Sequence, residues 1–194
     1  MPKSKSAYSV AGKKGKLDTH IIVVWVDNEA GVLARVVGLF SGRGYNIESL
    51  AVAEVDSKLN ISRVTIVTTG SPEVIDQIKL QLKKLVPVHK VASFKREDKK
   101  VIFKEMALFK FVSNSKKMKL AVKACKKFNP VLLDETNKSC VVQVTALRRE
   151  IDKMAVNFKK YGLKSISRTG AVAMTRGSDA VSYTHLRAHE TDYY

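Results

Sequence analysis

The stretch Asp27–Asn46, DNEAGVLARVVGLFSGRGYN, constrains the fold of this chain more than any other. It follows an unbroken apolar run, Ile21 to Val26, and after a polar break holding Asn28 and Gly31 the apolar residues return as Leu33, Val36, Val37 and Phe40. The first pattern is that of a strand and the second that of a helix, so the chain passes from one into the other within a few residues. The opening N–H groups of a helix have no partner inside it, and the helix dipole adds partial positive charge there, so an anion can sit at such a turn. Gly31 would let a small ligand approach the backbone, and Asn28 offers a donor and an acceptor beside it. On spacing alone the plainer reading is favoured: Asn28 caps the helix and Gly31 eases the turn.

The rest of the chain continues the alternation. A helix over 31–41 ends at Gly42-Arg43-Gly44, which suits a left-handed helix end, and Tyr45–Val55 is expected as a second strand. After a turn at Ser57–Asn60, Ile61–Thr69 alternates, with Ser62, Val64, Ile66 and Thr68 on one face and Arg63, Thr65 and Val67 on the other. Gly70, Ser71 and Pro72 then stop the strand and start a helix whose apolar stripe is Ile75, Ile78, Leu82 and Leu85, before a fourth strand at Val86–Phe94. That order, βαββαβ, is the ferredoxin-like unit. It recurs: strand 106–112, helix with Met118, Val122 and Cys125, hairpin strands 131–134 and 139–145, helix 148–161 ended by Gly162, and strand 164–174. The expected class is α+β with two tandem ferredoxin-like units at 19–94 and 105–177. Between them lies a charged linker, 95–104, in which Glu97 and Asp98 are solvated acids rather than an acid–base pair. Residues 1–18 are expected to form a flexible basic tail, faintly like an organelle transit peptide but without its Arg, and 178–194 fits neither unit and is expected to be foreign or disordered.

The chemistry the sequence lacks narrows its function. There is no phosphate-binding loop, no dinucleotide fingerprint, no nucleophile elbow and no HExxH, and Gly42 and Gly44 stand at the wrong end of a helix to cradle phosphate. His185 and His189 have the spacing of a helical metal pair but no third ligand in view, so no metal site is expected. Cys125 and Cys140 have no paired spacing and suggest reduced thiols in a cytoplasmic protein, and no apolar run approaches the roughly 18 residues that span a bilayer. The net charge of +17 raises nucleic acid as a partner. Part of that charge sits in the first segment, in Lys3, Lys5, Lys13, Lys14 and Lys16, and the rest is mostly Lys scattered over helix faces, whereas planar recognition of bases and phosphates favours Arg, so the balance is against it.

One resemblance sharpens these expectations. The run VVGLFSGRGYNIESL, Val36 to Leu50, together with SRVTIVTTGSPEVIDQIKLQLKKLVPVHKV, resembles the N-terminal ACT domain of the regulatory (small) subunits of acetolactate synthase; a weaker likeness continues through EMALFKF and SRTGAVAMTRG. It spans about Thr19 to Gly177, departing at Asp27, where Glu is usual, and Ala30, where Pro or Ser is common. The resemblance implies an ACT domain at 19–94 that pairs side by side with a second copy and binds a branched-chain amino acid, usually valine, at the interface. N–H groups of Gly31, Val32 and Leu33 would then take the ligand carboxylate, Asn28 of one chain and Asn46 of the other its polar ends, and Leu33 and Ile47 its side chain. It further implies a homodimer that activates a catalytic (large) subunit and confers feedback inhibition on it, with thiamine diphosphate, magnesium and FAD in that subunit and no cofactor here. The alternatives are a free-standing amino-acid-sensing ACT protein and a basic nucleic-acid-binding regulator.

Overall fold

The computed structural model describes residues 17–177. They divide into two compact units, one running to Ile102 and taking in residues 173–177, the other Phe103–Val172. The first is built of β1 (Asp18–Asp27), α1 (Val32–Ser41), β2 (Ser49–Asp56), β3 (Ile61–Gly70), α2 (Pro72–Lys83) and β4 (Val88–Lys95), with sheet order β2-β3-β1-β4. All three pairings in that sheet are antiparallel. β1 occupies the centre because its apolar run can be buried on both faces. Ile22, Val24 and Val26 enter the core under the helices with Val36, Phe40, Ile66, Ile78 and Leu82, and Ile21, Val23 and Trp25 on the opposite face are buried as well.

Helix α2 starts as its sequence indicates: Pro72 fills the first turn and the Ser71 hydroxyl accepts the Val74 N–H at 3.5 Å. Strand β2 is shorter than expected at its start. Tyr45 lies outside it, its N–H donating to the Phe40 carbonyl at 2.9 Å and its ring edge-on to Phe40 at 6.2 Å, so the aromatic side chain that suggested a strand serves instead to close the end of α1.

The second unit is built on β5 (Val101–Val112), α3 (Ser115–Cys125), β6 (Val131–Glu135), β7 (Ser139–Ala146), α4 (Arg148–Asn157) and β8 (Leu163–Thr175). Its sheet order, β6-β7-β5-β8, repeats that of the first unit. The charged linker expected over 95–104 shrinks to 96–100, because β4 runs through Lys95 and β5 begins at Val101, which is buried. Asp98 shapes that turn, its carboxylate accepting the Lys100 N–H at 2.8 Å, which gives this acid a structural role.

Both helices of the second unit tighten into 3₁₀ turns, Lys126–Phe128 after α3 and Phe158–Tyr161 after α4. Gly162 ends the latter at φ 88°, and a Cβ there would lie 2.7 Å from the Val112 carbonyl oxygen, so both backbone sign and space demand glycine. The core gathers Phe109, Phe111 and Phe158, with centroids 5.2 and 5.5 Å apart along Phe109–Phe158–Phe111. At its edge the Arg168 guanidinium forks onto Glu105 with two bonds of 2.7 Å and reaches Asp152 at 2.6 Å. Those carboxylates hold Arg168 still more firmly protonated than a free guanidinium.

Candidate functional site

The loop between β1 and α1 is fastened on two sides. The Asp27 N–H donates to the Pro87 carbonyl at 2.9 Å, the Asn28 N–H donates to the Asn60 carbonyl at 2.7 Å, and the Asp27 carboxylate meets His89 Nε2 at 2.5 Å. Asn28 does not cap the helix. Its side-chain oxygen accepts the hydroxyl of buried Ser62 at 3.0 Å, which fixes the amide. Gly31 takes the position just before the helix at φ 84°, a left-handed conformation, with no side-chain cap and nothing within 4 Å of where a Cβ would stand. The loop therefore presents open backbone at Gly31.

Around it the expected site residues separate by role. The Val32 side chain lies in the core with Val36, and its N–H bends back to the Glu29 carbonyl at 3.4 Å, so it offers no ligand-facing side chain. Leu33 is 41% exposed and is free to present an apolar surface. The first regular helical bond runs from the Arg35 N–H to the Gly31 carbonyl at 3.0 Å, which leaves Leu33 and Ala34 as the opening N–H groups of the turn. Ile47 is half-buried against the core, and exposed Asn46 is anchored by its carbonyl, which accepts the Thr68 hydroxyl at 2.7 Å.

Asn28 and Asn46 do not meet within one chain. Asn28 is tied to Ser62 and Asn46 to Thr68, six residues further along β3, and at the rise of an extended strand that separates them by about 20 Å. β2, beside β3, is an edge strand carrying exposed Val52 and Val55. The contributions of Ser62 and Asn60, some thirty positions from Asn28, were not anticipated from local spacing. The β1–β3 register that sets Val26 opposite Ser62 is the signal that finds them.

Elsewhere in the described residues no group of three His, Cys, Asp or Glu is placed to hold a metal ion, and no helix is long and apolar enough to cross a membrane. His185 and His189 lie outside the described residues. Cys125 and Cys140 are buried free thiols; burial, with Cys140 nearby, pushes Cys125 up to about 11, far from a reactive thiolate.

A four-stranded antiparallel βαββαβ unit with the order β2-β3-β1-β4 is the architecture of the ACT class. Residues 22–90 match the family model described as the AHAS small subunit-like ACT domain, and residues 104–177 match the model for the small subunit of acetolactate synthase. The chain is 37% identical over 165 residues to the acetolactate synthase small subunit of Aquifex aeolicus, covering 84% of each chain. It is 33% identical over 185 residues to the chloroplastic acetolactate synthase small subunit 2 of Arabidopsis thaliana, covering 89% of this chain and 38% of that one. The crystal structure of the acetolactate synthase small subunit from Thermotoga maritima superposes with a TM-score of 0.75 at 29% identity, covering 83% of this chain and 99% of that one. The chain belongs to the family of acetolactate synthase small subunits, which are regulatory and not catalytic.

Proposed function

We propose that this chain regulates acetolactate synthase in branched-chain amino acid biosynthesis by pairing with a second copy through β2 and holding valine between the two. The observation that carries this reading is the separation of Asn28 and Asn46 to opposite ends of β3. If two copies join their β2 edges antiparallel about a twofold axis, the start of one β2 lies beside the end of the other. Asn46 of the partner subunit then arrives at the end where Asn28 and Gly31 stand. The ligand carboxylate faces the helix-start N–H groups, the Asn28 amide and Asn46 of the partner subunit take its polar ends, and Leu33 and the partner subunit's Ile47 line its side chain. Each dimer has two such sites, and a ligand that touches both chains favours one dimer arrangement over another.

On this reading the chain, as a cytoplasmic homodimer, stimulates a catalytic subunit that carries thiamine diphosphate, magnesium and FAD, and valine withdraws part of that stimulation. Calorimetric titration of the full chain with valine, leucine and isoleucine, run beside an acetolactate assay with a catalytic subunit, tests it. The expected result is one valine per chain, stimulation of acetolactate formation, and loss of stimulation over the valine range that saturates binding. Stimulation without binding of any of the three amino acids would contradict the effector assignment, and absence of stimulation would contradict the partner.

A further inference from the structure

A hollow of about 290 Å³ opens between the helices of the second unit, just under the range of small-molecule pockets. It lies where the 3₁₀ turns following α3 and α4 converge. Its aromatic lining includes Phe128 and Tyr161, both partly buried against the core, and its rim carries Lys127, Lys153 and Lys160. Charge and ring are presented together, with Lys127 Nζ 4.6 Å from the Phe128 centroid and Lys160 Nζ 5.0 Å from that of Tyr161.

The one carboxylate in the lining, Glu150, is spread over several cations at long range: 3.6 Å to Lys127, 3.9 Å to Lys153 and 4.0 Å to Arg149. Among the described residues Lys160 makes no ion pair, so the rim keeps a surplus of positive charge. Lysines along a helix face alone would be an ordinary solvated surface; an open aromatic hollow among them gives an anion a place to bind and its apolar body a surface to cover.

We propose that this hollow is a second ligand site, independent of the amino-acid reading of the first unit, and that it takes a small organic anion with a flat apolar body. The anionic group pairs with the Lys127, Lys153 and Lys160 ammonium groups while the body lies against Phe128 and Tyr161. Charge and apolar contact each contribute, so an anion without a body and a body without charge should both bind less well.

Fluorescence titration of the full chain with 1-anilinonaphthalene-8-sulfonate, and with its uncharged counterpart N-phenyl-1-naphthylamine, tests this. The sulfonate should bind saturably and more tightly than the amine, and added NaCl should weaken it. In the double variant Lys127→Glu, Lys153→Glu the sulfonate should bind at least about tenfold more weakly while the amine is unaffected. Both side chains are well exposed, at 69% and 70%, so the variant should fold, its melting temperature lowered only by the repulsion that the two new carboxylates meet at Glu150. Equal sulfonate affinity in parent and variant would place the probe elsewhere and overturn the proposal. So would salt-independent sulfonate binding, or amine binding as tight as that of the sulfonate, in the parent itself; these two readouts hold whether or not the variant folds.

Discussion

With φ at 84° and open space where a Cβ would stand, Gly31 can accept a short polar side chain at the cost of a left-handed backbone, which Asn and Asp tolerate better than other residues. Gly31→Asn and Gly31→Asp share that strain and differ in charge. A carboxylate about 4 Å from the ligand carboxylate repels it by roughly 4 kcal/mol at an effective dielectric of about 20, before screening. Gly31→Asp should therefore bind valine more than about tenfold more weakly than Gly31→Asn by calorimetry; equal affinities would remove the ligand carboxylate from this turn. His20 supplies a separate test. It is buried, its Nε2 has no partner among the described residues, and its Nδ1 lies 3.4 Å from the Ser93 hydroxyl. Burial first, then Lys95, lowers its pKa below 6.5, with Asp18 opposing. The unfolded chain thus takes up this proton before the folded one, and stability falls as pH drops from about 6.5 toward the lowered value. His20→Gln should lose less stability than the parent between about pH 7.5 and 5.5 in denaturant titrations, and an unchanged slope would show that His20 does not set it. At this scale the turn at Gly31 was legible from its place between an apolar run and a helical stripe. The work Asn28 does was not, because its Ser62 partner comes from another strand.

Local pattern carried the elements well, and the departures have nameable causes. β5 starts earlier than its composition suggests because Lys99, Lys100 and Lys104 mask buried Val101. α4 ends earlier as an α-helix because its last turn winds into 3₁₀ before the left-handed Gly162, and periodicity does not distinguish the two over one turn. The contact that ties β5, α4 and β8 together, Glu105–Arg168–Asp152, left no local signature, since its members are distant in sequence. Glu105 is only 3% exposed, so Arg168→Met leaves a carboxylate buried without its partner and should destabilise the unit by about 3 kcal/mol. Adding Glu105→Leu should recover most of that loss, because paired removal takes away the stranded charge together with its partner. Thermal unfolding of the two variants decides it: a single variant as stable as the parent would mean that the ion pair does not hold these elements.

At the scale of the whole molecule the same topology is used twice, and among the described residues the first copy combines an open left-handed helix start with a strand, β3, whose two ends hold Asn28 and Asn46 apart. The second copy has Asn114 as a helix cap, its side chain accepting the Lys117 N–H at 3.0 Å, so that helix start is already occupied. Repetition was visible in the order of elements, while the difference between the copies depends on caps and pairings that emerge only once the strands are in register. The central claim is that the amino-acid site is shared by two chains, and mixing inactive variants tests it most directly. Gly31→Asp and Asn46→Ala should each bind valine too weakly to titrate. When the two are unfolded together and refolded in equal amounts, half of the dimers should be mixed, and each mixed dimer should contain one site with both defects and one with neither. Calorimetry of that mixture should recover roughly a quarter of the parent's valine sites at the parent's affinity; a mixture in which mixed dimers form and still bind no valine would place the whole site within a single chain and contradict the account.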